Sequence, residues 1–347
     1  MANKKRQSNF ELLRILAMMM IVTLHFFSEE RRPTGQTPSE LVYFTYESLS
    51  ICGVDIFVLL TGFFSLHQHS INIRKIVNLL IDVAFWCFIG FVLCVATRQR
   101  PFQIKELIRS MFPIIFGGRW FVKAYILLLL LSPFINLVLL SISRESFRCL
   151  LVIQLLLFSI WPSFFPNPPF DDYGYSIVHF ITLYMIAGYI RLHVEIYPSR
   201  LLCCFGYLIS FAAVIISKLL NQGYEWAYNY PFVMTEAICL FLLFCQIPVQ
   251  SNLLNRIASA AFGVYLIHTN AFFGPLIYER LFHGSSLLDG DPLMLALAVP
   301  ICAVCFYLFG FVLETIKQTV FCYSIDSVLD GIRIINTPIR VEGAEKT

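Results

Sequence analysis

The sequence predicts an all-α fold: a polytopic helical membrane protein of about ten transmembrane helices, with both termini cytoplasmic. Three observations lead there. Of the 347 residues, 58% are hydrophobic and only 14% are charged, whereas a soluble domain carries about a quarter charged residues. The mean hydropathy is +0.73. The apolar residues come in unbroken runs long enough to cross a bilayer as helices, which takes roughly 20 residues each. They do not alternate with polar residues, as an outer-membrane barrel requires. The composition excludes a soluble enzyme, a disordered chain and a nucleic-acid-binding domain. A net charge of +3 calls for no polyanionic partner. The 34 Phe and 16 Tyr suit a surface that meets membrane lipids.

In chain order the spans are expected at residues 10–28, 41–64, 76–96, 122–141, 147–162, 175–191, 201–219, 231–248, 259–279 and 293–317. The first follows Lys4, Lys5 and Arg6, as a signal peptide would. It runs into His25-Phe-Phe-Ser-Glu-Glu with no small-residue cleavage pattern, so it is expected to stay as a signal-anchor. The fifth is short and ends in the Pro-rich stretch from Trp161 to Pro169. Ile108 to Phe116 is apolar but too short to span, and reads as an interfacial or re-entrant piece. Residues 1–320 form one integral-membrane domain and 321–347 a cytoplasmic tail with room for one short surface helix. The 11 Cys show no disulfide or zinc framework, and no metal is expected.

The distribution of Lys and Arg sets the orientation. With the N-terminus inside, the cytoplasmic segments carry Lys4, Lys5, Arg6, Arg74, Lys75, Arg144, Arg148, Arg191, Arg200 and Arg256. The outer segments carry Arg31, Arg32, Lys218 and Arg280, plus a basic group between the third and fourth spans: Arg98, Arg100, Lys105, Arg109 and Arg119. That loop is either re-entrant or a device for binding anions.

A charge at mid-bilayer costs at least ~2.5–3.5 kcal/mol, so ionisable groups within spans are functional candidates. They are Glu11, Arg14, His25, Asp55, Asp82, Lys123, His179, Glu236, His268 and Glu314. Arg14 and His25 share one helical face and stand roughly 16 Å apart along it. The arginine suits a phosphate or carboxylate, and the histidine can move a proton near neutral pH. The bland alternative is a snorkelling arginine and a histidine that caps the helix. Asp55, between Gly53 and Gly62, calls for an intramembrane Arg or His as partner. Arg74 and Lys75 are either positive-inside anchors or phosphate contacts. Gly117-Gly118-Arg119-Trp120 is either an anion-binding turn or a plain interfacial one.

Together these residues resemble acyltransferase family 3, bacterial membrane enzymes that O-acylate cell-surface glycans. The resemblance lies in Arg14-x10-His25 after Asn9-Phe-Glu-Leu-Leu, in Gly53-Val-Asp-Ile-Phe with Gly62-Phe-Phe, in Ala260-Ala-Phe-Gly-Val-Tyr-Leu-Ile-His268, and in Arg119-Trp-Phe ahead of Leu131-Ser-Pro133. The chain is similar to the short form, without the extracytoplasmic hydrolase-like domain of some members. It departs from the family where an Arg-x-x-Arg often opens the third span: Arg74 is followed by Lys75, Ile76 and Val77. The resemblance implies an O-acetyltransferase of the bacterial inner membrane that moves an acyl group, most often acetyl from acetyl-CoA, to a sugar hydroxyl. The acceptor is then a glycan or a lipid-linked saccharide. His25 is the expected general base, Asp55 or Glu236 the group that holds its second nitrogen, and Arg14, Arg74, Lys75 and Arg119 the contacts for the donor. A transporter or flippase for a lipid-linked sugar or an anion is the competing reading. It explains the buried charges but not the paired motifs, and no internal repeat is visible.

The expected topology is testable. In a background without native cysteines, Arg100→Cys should react with an impermeant thiol reagent on intact cells and Ser146→Cys should not. Protection at both positions would put the 98–119 loop inside the membrane or the cytoplasm.

Overall fold

A computed structural model describes residues 6–27, 37–168, 170–220 and 223–341, with the side chains of 322–326 left out. Lys4, Lys5, Arg31 and Arg32, used for the orientation, lie outside the described residues. Helices cover the expected spans. Among the described residues seven are long and apolar enough to cross a membrane: Ser8–Phe26, Pro38–Ser65, Ile73–Ala96, Trp120–Ser141, Arg144–Phe164, Arg200–Leu219 and Pro292–Phe321. The bent pair Asn252–His268 and Phe273–Leu281 makes an eighth if taken as one span. Ile177–His193 and Pro231–Cys245 are apolar but shorter.

Three spans carry a proline beyond their first turn, and in each a side chain meets the freed carbonyl. Proline has no N–H, so the carbonyl four residues earlier loses its helical partner, and in lipid no water replaces it. Opposite Pro300 the exposed carbonyl is Ala296 O, which accepts Tyr46 Oη–H at 2.7 Å. Opposite Pro162 it is Phe158 O, which accepts Asn229 Nδ2–H at 2.8 Å. Opposite Pro133 it is Leu129 O, which accepts Ser132 Oγ–H at 3.2 Å. The fifth span thus reaches Phe164 despite its proline, passing through a wide π turn at Leu156–Ile160.

The chain divides into two compact units. The first comprises Met1–Gly53, Leu79–Gly118 and Ile247–Ser324. Here the Ser8–Phe26 helix packs on Pro38–Ser50, Asn252–Ser259 and Ala261–His268. Gly53 permits the approach, since a Cβ there would lie 2.9 Å from Ala17 O. Ser8 fixes one end, accepting from Ser251 N at 2.9 Å and donating to Asn255 Oδ1 at 2.8 Å. His25 meets His268 at the other end. The intervals from Ser8 to His25 and from Ser251 to His268 are equal in length, so the two helices run side by side in register.

The ninth span differs from the straight 259–279 helix expected. It starts at Asn252, stops at His268 and resumes at Phe273 after a 95° bend. The cause is local. Asn270 takes Phe272 N on its Oδ1 at 2.9 Å and gives Nδ2–H to Trp86 O at 2.6 Å, which holds the chain out of helical register. Ile104–Met111 and Pro113–Phe116 are two short helices with Ile104, Ile108, Phe112, Ile115 and Phe116 exposed. That is the pattern of a piece lying in the interface.

The second unit comprises Val54–Asn78, Arg119–Gln246 and Ile325–Thr347. Its organising side chain is Asn136, fully buried. Asn136 Nδ2 donates to Ser65 O at 2.7 Å and to Gln68 O at 2.9 Å, and its Oδ1 accepts Tyr184 Oη–H at 2.8 Å. One amide therefore joins three helices. The last helix does not stop at the expected 317 but runs to Asp330, where Gly331 ends it. Beyond it Ile339–Arg340 pairs antiparallel with Ser70–Ile71.

The proline repair gives a double-mutant test. Tyr46→Phe strands Ala296 O and should cost about 1 kcal/mol, seen as a lower Tm in detergent. Adding Pro300→Ala restores a backbone donor and should recover part of that loss. Strict additivity of the two changes would show that the carbonyl is not the shared element.

Candidate active site

His25 sits in the last turn of the first helix, exposed between buried Leu24 and Phe26. Its Nδ1–H donates to Ile21 O at 2.9 Å and lies 3.3 Å from His268 Nε2. His268, 2% exposed, gives its own Nδ1–H to Val264 O at 3.0 Å. A carbonyl only accepts, so both rings carry their proton on Nδ1. His268 Nε2 is then an acceptor and can share the His25 Nδ1 proton. The two rings meet edge to face, centroids 4.8 Å apart. The lone pair of His25 is thereby placed on Nε2, the nitrogen turned away from its own helix. If that nitrogen takes a proton, His268 Nε2 faces the resulting cation as a fixed acceptor. Tyr265 and Phe306 pack on His268 and hold its plane.

Arg14, on the same helix, is ion-paired with Glu11 one turn before it. Its side chain is 29% exposed and that of Glu11 10%, so the arginine keeps an accessible edge beside a nearly buried counter-charge. Tyr307 stands nearby and donates to Ile257 O at 3.2 Å. The first unit also holds an ionic knot, buried at Lys317 and Glu314 and a third exposed at Asp82. Lys317 Nζ reaches Asp82 Oδ1 and Glu314 Oε1, both at 2.7 Å, while Trp86 Nε1–H donates to Glu314 Oε2 at 2.9 Å. The knot explains how Asp82 and Glu314 are tolerated in apolar helices: the lysine and the indole satisfy them.

The remaining candidates belong to the second unit. Asp55, fully buried, accepts His179 Nε2–H on Oδ1 at 2.9 Å, so its intramembrane partner is a histidine. Its Oδ2 has no hydrogen-bond partner among the described residues. Glu236 is fully buried on the Pro231–Cys245 helix. Arg74 is engaged by Asp330 and by Asn336 Oδ1, and Lys75 is exposed at the start of its helix. Arg119 is the N-cap residue of Trp120–Ser141, whose Trp120 ring lies 4.5 Å from Tyr175 and 5.4 Å from Tyr228. Of the sequence candidates, then, Arg14 and His25 lie together in one unit, and Asp55, Glu236, Arg74, Lys75 and Arg119 in the other.

Two residues were not singled out for a role from the sequence. His268 stands among the ionisable groups within spans and at the end of a motif, but its contact with His25 spans 243 positions, which no local pattern displays. Lys317 lies near the end of its span, where it reads as a snorkelling anchor; its i,i+3 spacing from Glu314 was the available signal.

Outside the spans one tyrosine is electrostatically distinctive. Tyr224 donates to Asp171 Oδ1 at 2.8 Å, and burial, followed by that hydrogen bond, pushes its hydroxyl well above the ordinary tyrosine range.

Long apolar helices that hold ionisable groups in their packed interior define a multi-pass membrane protein. The sequence profile of a family described as an acyltransferase domain matches residues 7–315. The chain belongs to acyltransferase family 3 and is a membrane acyltransferase. No curated protein and no solved structure matches it.

The tautomer assignment is directly measurable. In protein with 15N-labelled histidine, the His25 and His268 signals should show protonated Nδ1 and bare Nε2 at neutral to alkaline pH. A protonated Nε2 on neutral His25 would remove the basis for its use as a base.

Proposed function

We propose that this protein transfers an acetyl group from acetyl-CoA to a sugar hydroxyl of a cell-surface or lipid-linked glycan, in the bacterial inner membrane. The observation that carries the reading is the His25–His268 pair, which leaves His25 Nε2 basic and backs it with a buried acceptor. In the reaction His25 Nε2 takes the proton of the sugar hydroxyl as that oxygen attacks the thioester carbonyl carbon. The C–S bond then breaks, the acyl–oxygen bond remains, and the departing thiolate takes the proton back from His25. The products are the O-acyl sugar and free CoA.

His268 and the Ile21 carbonyl are positioning groups for the base. Asp55, bonded to His179, and the buried Glu236 are supporting acids of the reaction, but not the group that holds the second nitrogen of His25, which Ile21 O takes. Arg14 binds an anionic group of the donor, exchanging part of its pairing with Glu11 for phosphate oxygens. Arg74, Lys75 and Arg119 are further donor contacts; of these Arg74 has first to release Asp330.

The test is release of free CoA by purified protein given acetyl-CoA and a glycan acceptor. His25→Ala should lower kcat by about 10²–10⁴-fold with normal membrane expression; near-normal turnover removes His25 as the base. Arg14→Lys should raise KM for acetyl-CoA more than KM for the acceptor, because lysine keeps the charge and loses the planar fork. Asp55→Asn should also reduce turnover, and full activity in a well-folded variant would leave Asp55 a packing role only.

A further inference from the structure

Arg98, Arg100, Lys105 and Arg109, between the third and fourth spans, have no part in the acyl-transfer step. The third span ends at Ala96, and Arg98 closes it in the left-handed conformation, with φ 58°. Gln99 N–H and Arg100 N–H both return to Cys94 O, at 2.9 and 3.3 Å. Glycine or asparagine ordinarily takes such a position. Here an arginine holds it against local preference, which sets an exposed cation beside the exposed Arg100.

After this turn the chain forms the short helices Ile104–Met111 and Pro113–Phe116. The first of them has three distinct flanks. Ile104, Ile108 and Met111 fall within about 60° of one another around the axis, and all three are exposed. Phe112, Ile115 and Phe116 beyond them are exposed as well. Lys105 and Arg109 stand about 100° and 140° round from Ile104, along one edge of that apolar stripe, and both are exposed. On the opposite edge Leu107 is half-buried and Ser110 buried, so that side meets the protein.

A stripe of large apolar side chains stays exposed where hydrocarbon covers it. Cations along its edge then lie at the depth of the lipid headgroups. Residues 97–116 carry four cations and one acid, Glu106. That acid is engaged by Arg109 at 2.8 Å, in an exposed pair that exchanges readily for another anion. We propose that this segment is a binding surface for anionic phospholipid. Acyl chains cover the stripe of Ile104, Ile108 and Met111, while Arg98, Arg100, Lys105 and Arg109 hold the negatively charged headgroups. An acidic glycan would account for the cations, but gives no reason for the exposed apolar side chains beside them. Zwitterionic lipid would account for the stripe, but not for the excess of positive charge along its edge. The proposal does not depend on the transfer reaction.

The test places a fluorophore on Ile108→Cys, in full-length protein without native cysteines, in nanodiscs of phosphatidylcholine. A small fraction of the lipid is brominated phosphatidylglycerol or, in a second sample, brominated phosphatidylcholine with the same chains, which quench on contact. Phosphatidylglycerol should quench as though enriched about fivefold or more at the segment, since one cation beside an anionic surface is worth about that factor. High salt should shrink the enrichment. Combining Arg98→Gln, Arg100→Gln, Lys105→Gln and Arg109→Gln should abolish it and leave quenching by phosphatidylcholine unchanged. If the combined variant does not fold, Lys105→Gln alone should cut the enrichment by up to about fivefold. Equal quenching by the two lipids in protein that keeps all four cations overturns the proposal, as does enrichment that survives their removal. Weak quenching by both lipids also overturns it, because the stripe would then lie outside the bilayer. A response to a soluble acidic oligosaccharide without lipid selectivity overturns it in favour of a glycan surface.

Discussion

Within a bilayer no water is at hand to satisfy a backbone group, so each carbonyl exposed by an interruption of a helix must find a partner in the protein. Much of this structure follows from that constraint. Proline would break three spans, and in each the freed carbonyl is met by a side-chain donor: Tyr46, Asn229 or Ser132. Asn136 does the same at the end of a helix, taking the carbonyls of Ser65 and Gln68 with one amide. Tyr46 and Asn229 also tie a distant segment to the helix they repair. The hydrogen bonds that rescue the secondary structure are therefore also those that set the tertiary structure.

The same constraint shapes the chemistry. His25 and His268 each return a ring N–H to the carbonyl one turn behind. In a water-filled cleft those carbonyls would compete with solvent for the ring proton. In a dry helix the choice is fixed, and with it the tautomer. The basic nitrogen of His25 is thus assigned by helix geometry before any substrate arrives. What a soluble enzyme often does with a carboxylate behind its histidine is here done with a second imidazole and a peptide carbonyl. A neutral partner spares the membrane interior a further buried charge.

The spans were legible because bilayer thickness writes itself into the length of apolar runs. Helix ends were not: the last helix continues past its apolar stretch to Asp330, since nothing before Gly331 breaks it. The ninth span reads as one apolar run, and its bend depends on Asn270 reaching Trp86, a contact absent from any local window. Arg14 and His25 stood out because a charge and an imidazole on one apolar face are visible in the sequence. That Asp55 needs an intramembrane partner was equally visible, but which of the available Arg and His residues supplies it was not. His268 illustrates the limit: its residue type is plain in the sequence, and its meaning comes only from what stands opposite.

The parallel pairing of Ser8 with Ser251 and of His25 with His268 makes two stretches of chain into matched rulers. A substitution within either leaves the rulers equal. A single inserted or deleted residue turns everything beyond it by 100° and moves it 1.5 Å along the axis, which carries one imidazole off the other while both helices remain intact. Variation in this region is thereby divided into two kinds. Letters are free to change, whereas spacing is locked, and a length change in one stretch is accommodated only by its twin in the other.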